Sequence, residues 1–172
     1  SSLKEIDIPN SVKSIGDGAF YCCESLKSIV IPASVTSIGE DAFCGWSSLE
    51  SITVSPDNPV YDSRDNCNAI IKTATNELLI CCGSTVIPES VTSIGDKAFY
   101  CCKFLKSIVI PDSVTSISSS VFRDCSNLES VTLGNNVTFI GNNAFNNTAL
   151  TTITLPNSVT KIEENLFYSC TL

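Results

Sequence analysis

Apolar residues recur along this chain in a compound pattern. From Leu26 the sequence reads LKSIVIPASVTSIGEDAFCGWSS. The opening L-x-x-I-x-I ends in period-two alternation, so Ile29 and Ile31 point one way and Val30 the other, which predicts a short half-buried strand. Proline follows and ends the strand, because it has no N–H for a ladder. Val35 and Ile38 re-enter the core after a polar corner. Gly-x-x-Ala-Phe then closes the unit, and with Asp17, Asp96 or Asn142 placed to cap in related copies it predicts one short helical or 3₁₀ turn.

The unit is repeated. It returns from Leu3 as LKEIDIPNSVKSIGDGAFYCCES, from Leu105 as LKSIVIPDSVTSISSSVFRDCSN, from Leu128 as LESVTLGNNVTFIGNNAFNNTA and from Leu150 as LTTITLPNSVTKIEENLFYSCT. Leu3, Leu26 and Leu49, then Leu105, Leu128, Leu150 and Leu172, mark starts at a near-constant spacing. Proline closes the strand in four copies, as Pro9, Pro32, Pro111 and Pro156. Ser118 and Glu163 stand where glycine is usual, so that position does not require a positive φ.

One copy buries roughly eight side chains and cannot enclose them, whereas stacked copies share a continuous core. Equivalent strands one turn apart run parallel, with right-handed crossovers. The expected fold is therefore an α/β solenoid with a parallel sheet of about seven strands on one face and short helical turns opposite. The whole chain, 1–172, reads as one domain and as a segment of a longer array.

The stretch from Leu49 to Leu105 is more than twice as long as one period. Within an irregular insertion spanning 55–85, Ala69–Ile71 and Leu78–Ile80 flank a polar turn, the pattern of a β-hairpin. The reading puts it at an edge of the solenoid, with Leu78–Ile80 supplying or extending a ladder strand.

The SVTSIG…AF…C template resembles the BspA-like leucine-rich repeats of bacterial surface proteins, also called the Treponema-type repeat, over essentially all of the chain. NPVYDSRDNCNAI…TATNEL is similar to a variant repeat frequent in gut and oral Bacteroidetes members. The resemblance implies a right-handed leucine-rich-repeat solenoid at the cell surface or secreted. It also implies an adhesion module that binds a host or matrix protein or a glycan. The alternative is a passive spacer in a surface stalk.

Composition narrows the chemistry. Ten Lys and Arg against 18 Asp and Glu give a net charge of −8, which excludes nucleic acid and anionic membranes as partners, since both need a basic footprint. With no histidine, Ser-His-Asp and Cys-His catalysis and His-ligated zinc are absent. The chain also lacks methionine, and so reads as a processed or trimmed piece; it has no apolar run long enough for a transmembrane helix and no signal peptide at Ser1. Ser, Thr and Asn together make up nearly a third of the chain, which predicts a neutral, hydroxyl-rich surface. Carboxylate pairs such as Glu40–Asp41 and Glu163–Glu164 fall on expected surface turns without a pocket, so no enzyme activity, cofactor or metal is expected.

Ten cysteines suggest disulfides in a short exported chain. Cys23, Cys102, Cys125 and Cys170, however, all lie three residues after the repeat's Phe, and equivalent positions point in parallel along a stack. They are expected to be buried thiols. The loop with Asp57, Asn58, Asp62, Asp65 and Asn66 lacks the spacing of a calcium loop, and Arg64 is placed to neutralise it. Phe104 and Phe139, which replace small or polar residues, and Tyr21, Tyr100 and Tyr168 are expected to pack against the hairpin or a neighbouring copy. The candidate ligand-binding face is the outward row beside the strands: Ser28, Val30, Ser51, Thr53, Ser107, Val109, Ser130, Thr132, Thr152 and Thr154. Lys27 with Glu50, and Lys106 with Glu129, are expected cross-strand neighbours.

Overall fold

The two apolar pairs of a copy form separate strands, as in the copies from Leu26, Leu105 and Leu128, so a regular turn of the coil carries two. The computed structural model describes residues 2–170; Leu172, where the spacing would begin another copy, lies outside the described residues. The strands are β1 (Ser14–Ile15), β2 (Ser28–Ile31), β3 (Ser37–Ile38), β4 (Ser51–Val54), β5 (Tyr61–Asp62), β6 (Ala69–Lys72), β7 (Glu77–Cys81), β8 (Ser93–Ile94), β9 (Ser107–Val109), β10 (Ser116–Ile117), β11 (Ser130–Thr132) and β12 (Phe139–Ile140). The chain winds through about six turns as a solenoid with parallel ladders.

The strands after the leucine pair as β2 with β4 and β9 with β11, each in register one repeat apart. The expected continuous sheet of about seven strands is thus two separate pairs. A second ladder forms at the Ser-Ile corner, where β1 pairs with β3, and β8, β10 and β12 stack in line.

The expected helical turns are absent: the Gly-x-x-Ala-Phe segments form a third ladder made of turns. Two residues per copy take a left-handed backbone, the first being Gly18, Asp41, Lys97, Ser120, Asn143 and Asn165. The second is Cys22, Gly45, Cys101, Asp124, Asn147 and Ser169. This alternation points N–H groups by turns within and between coils. The N–H groups of Ala19, Tyr21 and Cys23 donate three positions back, to the carbonyls of Gly16, Gly18 and Phe20. Those of Gly18, Phe20 and Cys22 instead donate to the carbonyls of Glu40, Ala42 and Cys44 in the next coil, each at 2.9 Å. A helix would keep those donors within its own coil, so satisfying the stack overrides helix formation. The capping role of the aspartates changes accordingly: Asp17 accepts from Glu40 N–H at 2.9 Å and Asp96 from Ser119 N–H at 2.8 Å, both in the following coil. The one 3₁₀ turn among the described residues, Arg64–Asn66, lies in the insertion.

In two copies the corner glycine is crowded by the preceding coil. A Cβ on Gly141 would sit 2.7 Å from Ser119 N, and one on Gly39 would lie 2.5 Å from Asp17 N. Neither has a positive φ, in keeping with Ser118 and Glu163 at the same position.

The interior is a row of like residues. Phe99, Phe122, Phe145 and Phe167 stack at ring-centroid distances of 5.1, 5.4 and 5.7 Å, and Phe20 stacks on Phe43 at 5.5 Å. All ten cysteines are free thiols, with Cys23, Cys102 and Cys125 buried at the expected slot.

The hairpin is real but is not at an edge. β6 and β7 pair antiparallel, and β7 runs parallel to β8, with Leu78 beside Ile94. Leu78–Ile80 does extend a ladder, the one at the Ser-Ile corner. Ala69, Ile70, Ile71 and Leu78 are wholly buried, so the insertion forms part of the core between the second and fourth coils. Side chains from it replace the missing strand beside β4: Ile52 N–H donates to Asn68 Oδ1 at 3.1 Å and Val54 N–H to Ser63 Oγ at 3.0 Å. On its other side the Cys67 carbonyl accepts from Val86 N–H and the Asn68 carbonyl from Thr85 Oγ1. Those bonds occupy residues 85–87, where the repeat would otherwise place a strand.

Candidate functional site

The candidate face rests on alternation within each strand. Ile29 and Ile31 turn inward, which leaves Ser28 and Val30 outside, and the register sets Ser51 and Thr53 beside them. In the second pair Ser107 and Val109 neighbour Ser130 and Thr132. Thr152 and Thr154 continue that patch without strand pairing, and line a shallow depression with Ser130 and Thr132. Nine of the ten candidate residues are exposed; Ser51 is half-buried. The structure therefore gathers four of them in one patch and six in another, with the 82–87 segment between. Lys27 Nζ meets Glu50 Oε1 at 3.0 Å, while Lys106 and Glu129 are joined through their backbones at 2.9 Å.

Three large apolar side chains are left in solvent. Val86 is 72% exposed, Val109 65% and Phe104 64%. Val86 lies one period before Val109, a spacing already visible in the sequence. Of the aromatics expected to pack against the hairpin or a neighbouring copy, Phe104, Phe139, Tyr21 and Tyr168 are exposed and Tyr100 is half-buried. The Phe139 slot is exposed or half-buried in every regular copy, whereas the tyrosine slot also holds the buried Cys44 and Asn146.

The acidic loop is held by internal partners. Arg64 grips Asp62 through Nε at 2.7 Å and Nη2 at 2.6 Å, and its Nη1 reaches Asn76 Oδ1 at 2.9 Å. Burial pushes the Asp62 carboxyl up, but hydrogen bonds from Arg64 and Thr73 outweigh it and hold the carboxyl below its ordinary value. A depressed carboxylate stabilises the fold above its unfolded pKa near 3.9 and loses that contribution as pH falls through the folded value. Asp62→Asn should therefore lower stability by about 1.5–3 kcal/mol at pH 7. The difference from the unaltered chain should shrink below about pH 4. Urea melts at pH 7 and pH 3 measure this, and an equal gap at both values would show that the Arg64 pair contributes nothing.

A cleft of about 200 Å³ opens on the turn side between the second and fourth coils. Phe43, Trp46, Leu79, Ile80 and Cys102 line it, and the Lys97–Asp41 ion pair, 2.6 Å, spans it. Burial, with the Asp41 carboxylate adding to it, pushes the Cys44 thiol up to about 12; burial does the same for Cys102, also to about 12. Such thiols are protonated and act as apolar wall rather than as nucleophiles. Among the described residues no group of His, Cys, Asp and Glu is arranged to hold a metal ion, and no helix is long and apolar enough to cross a membrane.

The family model for the BspA-type leucine-rich repeat region matches residues 1–72 and 77–172, in six copies. The chain belongs to the BspA-type leucine-rich repeat family. Its fold is similar to that of the pneumococcal vaccine antigen PcpA, with a TM-score of 0.81 at 21% identity over 98% of this chain and 49% of that one. A leucine-rich cell surface protein from Faecalibacterium prausnitzii is 30% identical with a TM-score of 0.63, over 98% of this chain and 40% of its own. The leucine-rich repeat protein of T. pallidum is 29% identical with a TM-score of 0.55, over 92% of this chain and 59% of its own. This BspA-type chain thus spans about half the length of the solved structures it resembles. No curated protein matches it. BspA-type membership agrees with the repeat reading, and the Faecalibacterium prausnitzii relative is a cell surface protein.

Proposed function

We propose that this chain is a cell-surface interaction module whose outward strand face binds a protein ligand. The observation that carries the reading is that Val86, Phe104 and Val109 are large apolar side chains left in solvent on a chain whose surface is rich in hydroxyls. Exposed apolar residues rimmed by polar ones suit a protein partner. A small molecule is less suited, because the face has no deep pocket. The cell surface relative from Faecalibacterium prausnitzii supports placement outside the cell. Single-segment affinity is expected to be weak, with avidity from repeated copies.

The test is a binding screen against extracellular-matrix proteins and glycans, with the chain displayed multivalently. Val109→Lys should weaken a captured ligand at least tenfold, Thr132→Lys should weaken it less, and Thr53→Lys in the distant patch least. Binding untouched by all three substitutions would remove the face as the site. A glycan captured in place of any protein would correct the ligand class. No binding at all would favour a spacer.

A further inference from the structure

The third coil is short on its turn side. From the inward residue of the Ser-Ile corner to the residue opening the next coil, Ile15–Leu26, Ile38–Leu49, Ile94–Leu105 and Ile117–Leu128 each advance 11 positions, whereas Leu78–Cys82 advances four. The turn stack therefore lacks one rung between the second and fourth coils, and the cleft is the space it leaves.

The missing rung has unanswered hydrogen-bonding groups on both walls. In the regular coils three alternate N–H groups donate to the next coil, as Lys97, Phe99 and Cys101 do to Ser119, Val121 and Arg123 at 3.0–3.1 Å. The equivalent donors of the second coil are the N–H groups of Asp41, Phe43 and Gly45, and these find no acceptor among the described residues. Phe43 and Gly45 are buried, and a buried N–H without an acceptor is rare because it is costly. On the facing wall the accepting carbonyls are those of Asp96, Ala98 and Tyr100. Cys81 N–H takes only Ala98, at 2.9 Å.

We propose that this cleft receives an extended peptide segment of the partner protein, which inserts as the missing rung. Its carbonyls accept from Asp41, Phe43 and Gly45, and its N–H groups donate to the Asp96 and Tyr100 carbonyls. One apolar side chain enters between Phe43, Trp46 and Leu79. Donors on one wall and acceptors on the other, both repeating every two residues, take the C=O and N–H of alternate peptide units, which a trans peptide points to opposite sides. The Lys97–Asp41 pair at the mouth is about 40% exposed on each side, and ion pairs so exposed contribute little, so it can part to admit the segment. The proposal rests on the protein-binding reading above but uses a different surface.

The experiment combines amide hydrogen exchange with a random peptide display library selected against the unaltered chain. In the free protein the Phe43 and Gly45 amides should exchange at least tenfold faster than those of Phe20, Phe99 and Phe122, and a selected peptide should slow them at least tenfold. Trp46, the chain's one tryptophan, lines the cleft and should report binding by fluorescence. N-methylating alternate peptide nitrogens, and Ala98→Leu on the cleft wall, should each weaken binding at least tenfold. If Ala98→Leu does not fold, the exchange measurement on the unaltered chain decides. Phe43 and Gly45 amides already as protected as their counterparts would overturn the open rung, and a library without binders would overturn the slot. A peptide weakened by Val109→Lys and not by Ala98→Leu would occupy the strand face, which overturns the slot while leaving the protein-binding reading in place.

Discussion

Phe122→Ala will lower the unfolding free energy by about 3–5 kcal/mol, the range for removing a buried aromatic ring. Phe122 is wholly buried and stacks between Phe99 at 5.1 Å and Phe145 at 5.4 Å. Its own N–H also donates to Ala144 in the next coil at 2.8 Å, so the surrounding backbone is pinned and closes poorly over the space left behind. Phe122→Leu keeps most of the volume and loses the stacking, and should cost less than half as much. Urea unfolding followed by far-ultraviolet circular dichroism measures both. Equal losses for the two variants would show that the aromatic row adds nothing beyond volume. Because the core falls into two clusters, one reaching from Ile8 to Cys82 and the other from Cys67 to Leu166, the loss should be felt first in the second cluster, as nearest-neighbour coupling in a solenoid requires.

Asn58→Ala is expected to cost about 2–4 kcal/mol, because the side chain answers four backbone groups at once. Its Nδ2 donates to the carbonyls of Pro32 and Val35, each at 2.8 Å, while Oδ1 accepts from Val60 and Tyr61 N–H, each at 2.9 Å. The amide thus ties the insertion to the second coil on both sides. Asn58→Asp retains the acceptor but sets a carboxylate oxygen against the Pro32 and Val35 carbonyls, so at pH 7 it should recover none of the loss, and Asn58→Ser should behave like alanine. The measurement is again the urea midpoint, with the slope checked for a change in the surface exposed. A loss for Asn58→Ala no larger than that of an ordinary surface substitution, about 0.5 kcal/mol, would mean that solvent replaces those bonds freely.

What can be read from the chain is what repeats. The period, the inward residues of both strand rows, the phenylalanine row and the parallel thiols follow from the sequence alone, since each side chain packs against copies of itself one turn away. The glycine at the Ser-Ile corner is legible only as a position tolerant of Ser118 and Glu163; its cause, backbone contact between coils, needs coordinates. The turns look helical in the sequence because Gly-x-x-Ala-Phe has no local feature showing that its donors reach the next coil.

The rest belongs to the segment that does not repeat. Asn68 and Ser63 stand in for a strand, and Asn58 reaches the second coil, only because the fold sets them against coils whose backbone groups would otherwise be bare. The short step from Leu78 to Cys82 is written in the sequence, but Cys82 takes the place of a leucine and hides the register there. The cleft arises where two regular coils face each other across that step. The sequence by itself determined the solenoid, because a repeat supplies its own packing partners. The tertiary structure alone decided the insertion's bonds and the open rung, because there the partners are unlike residues brought together only by the winding of the chain.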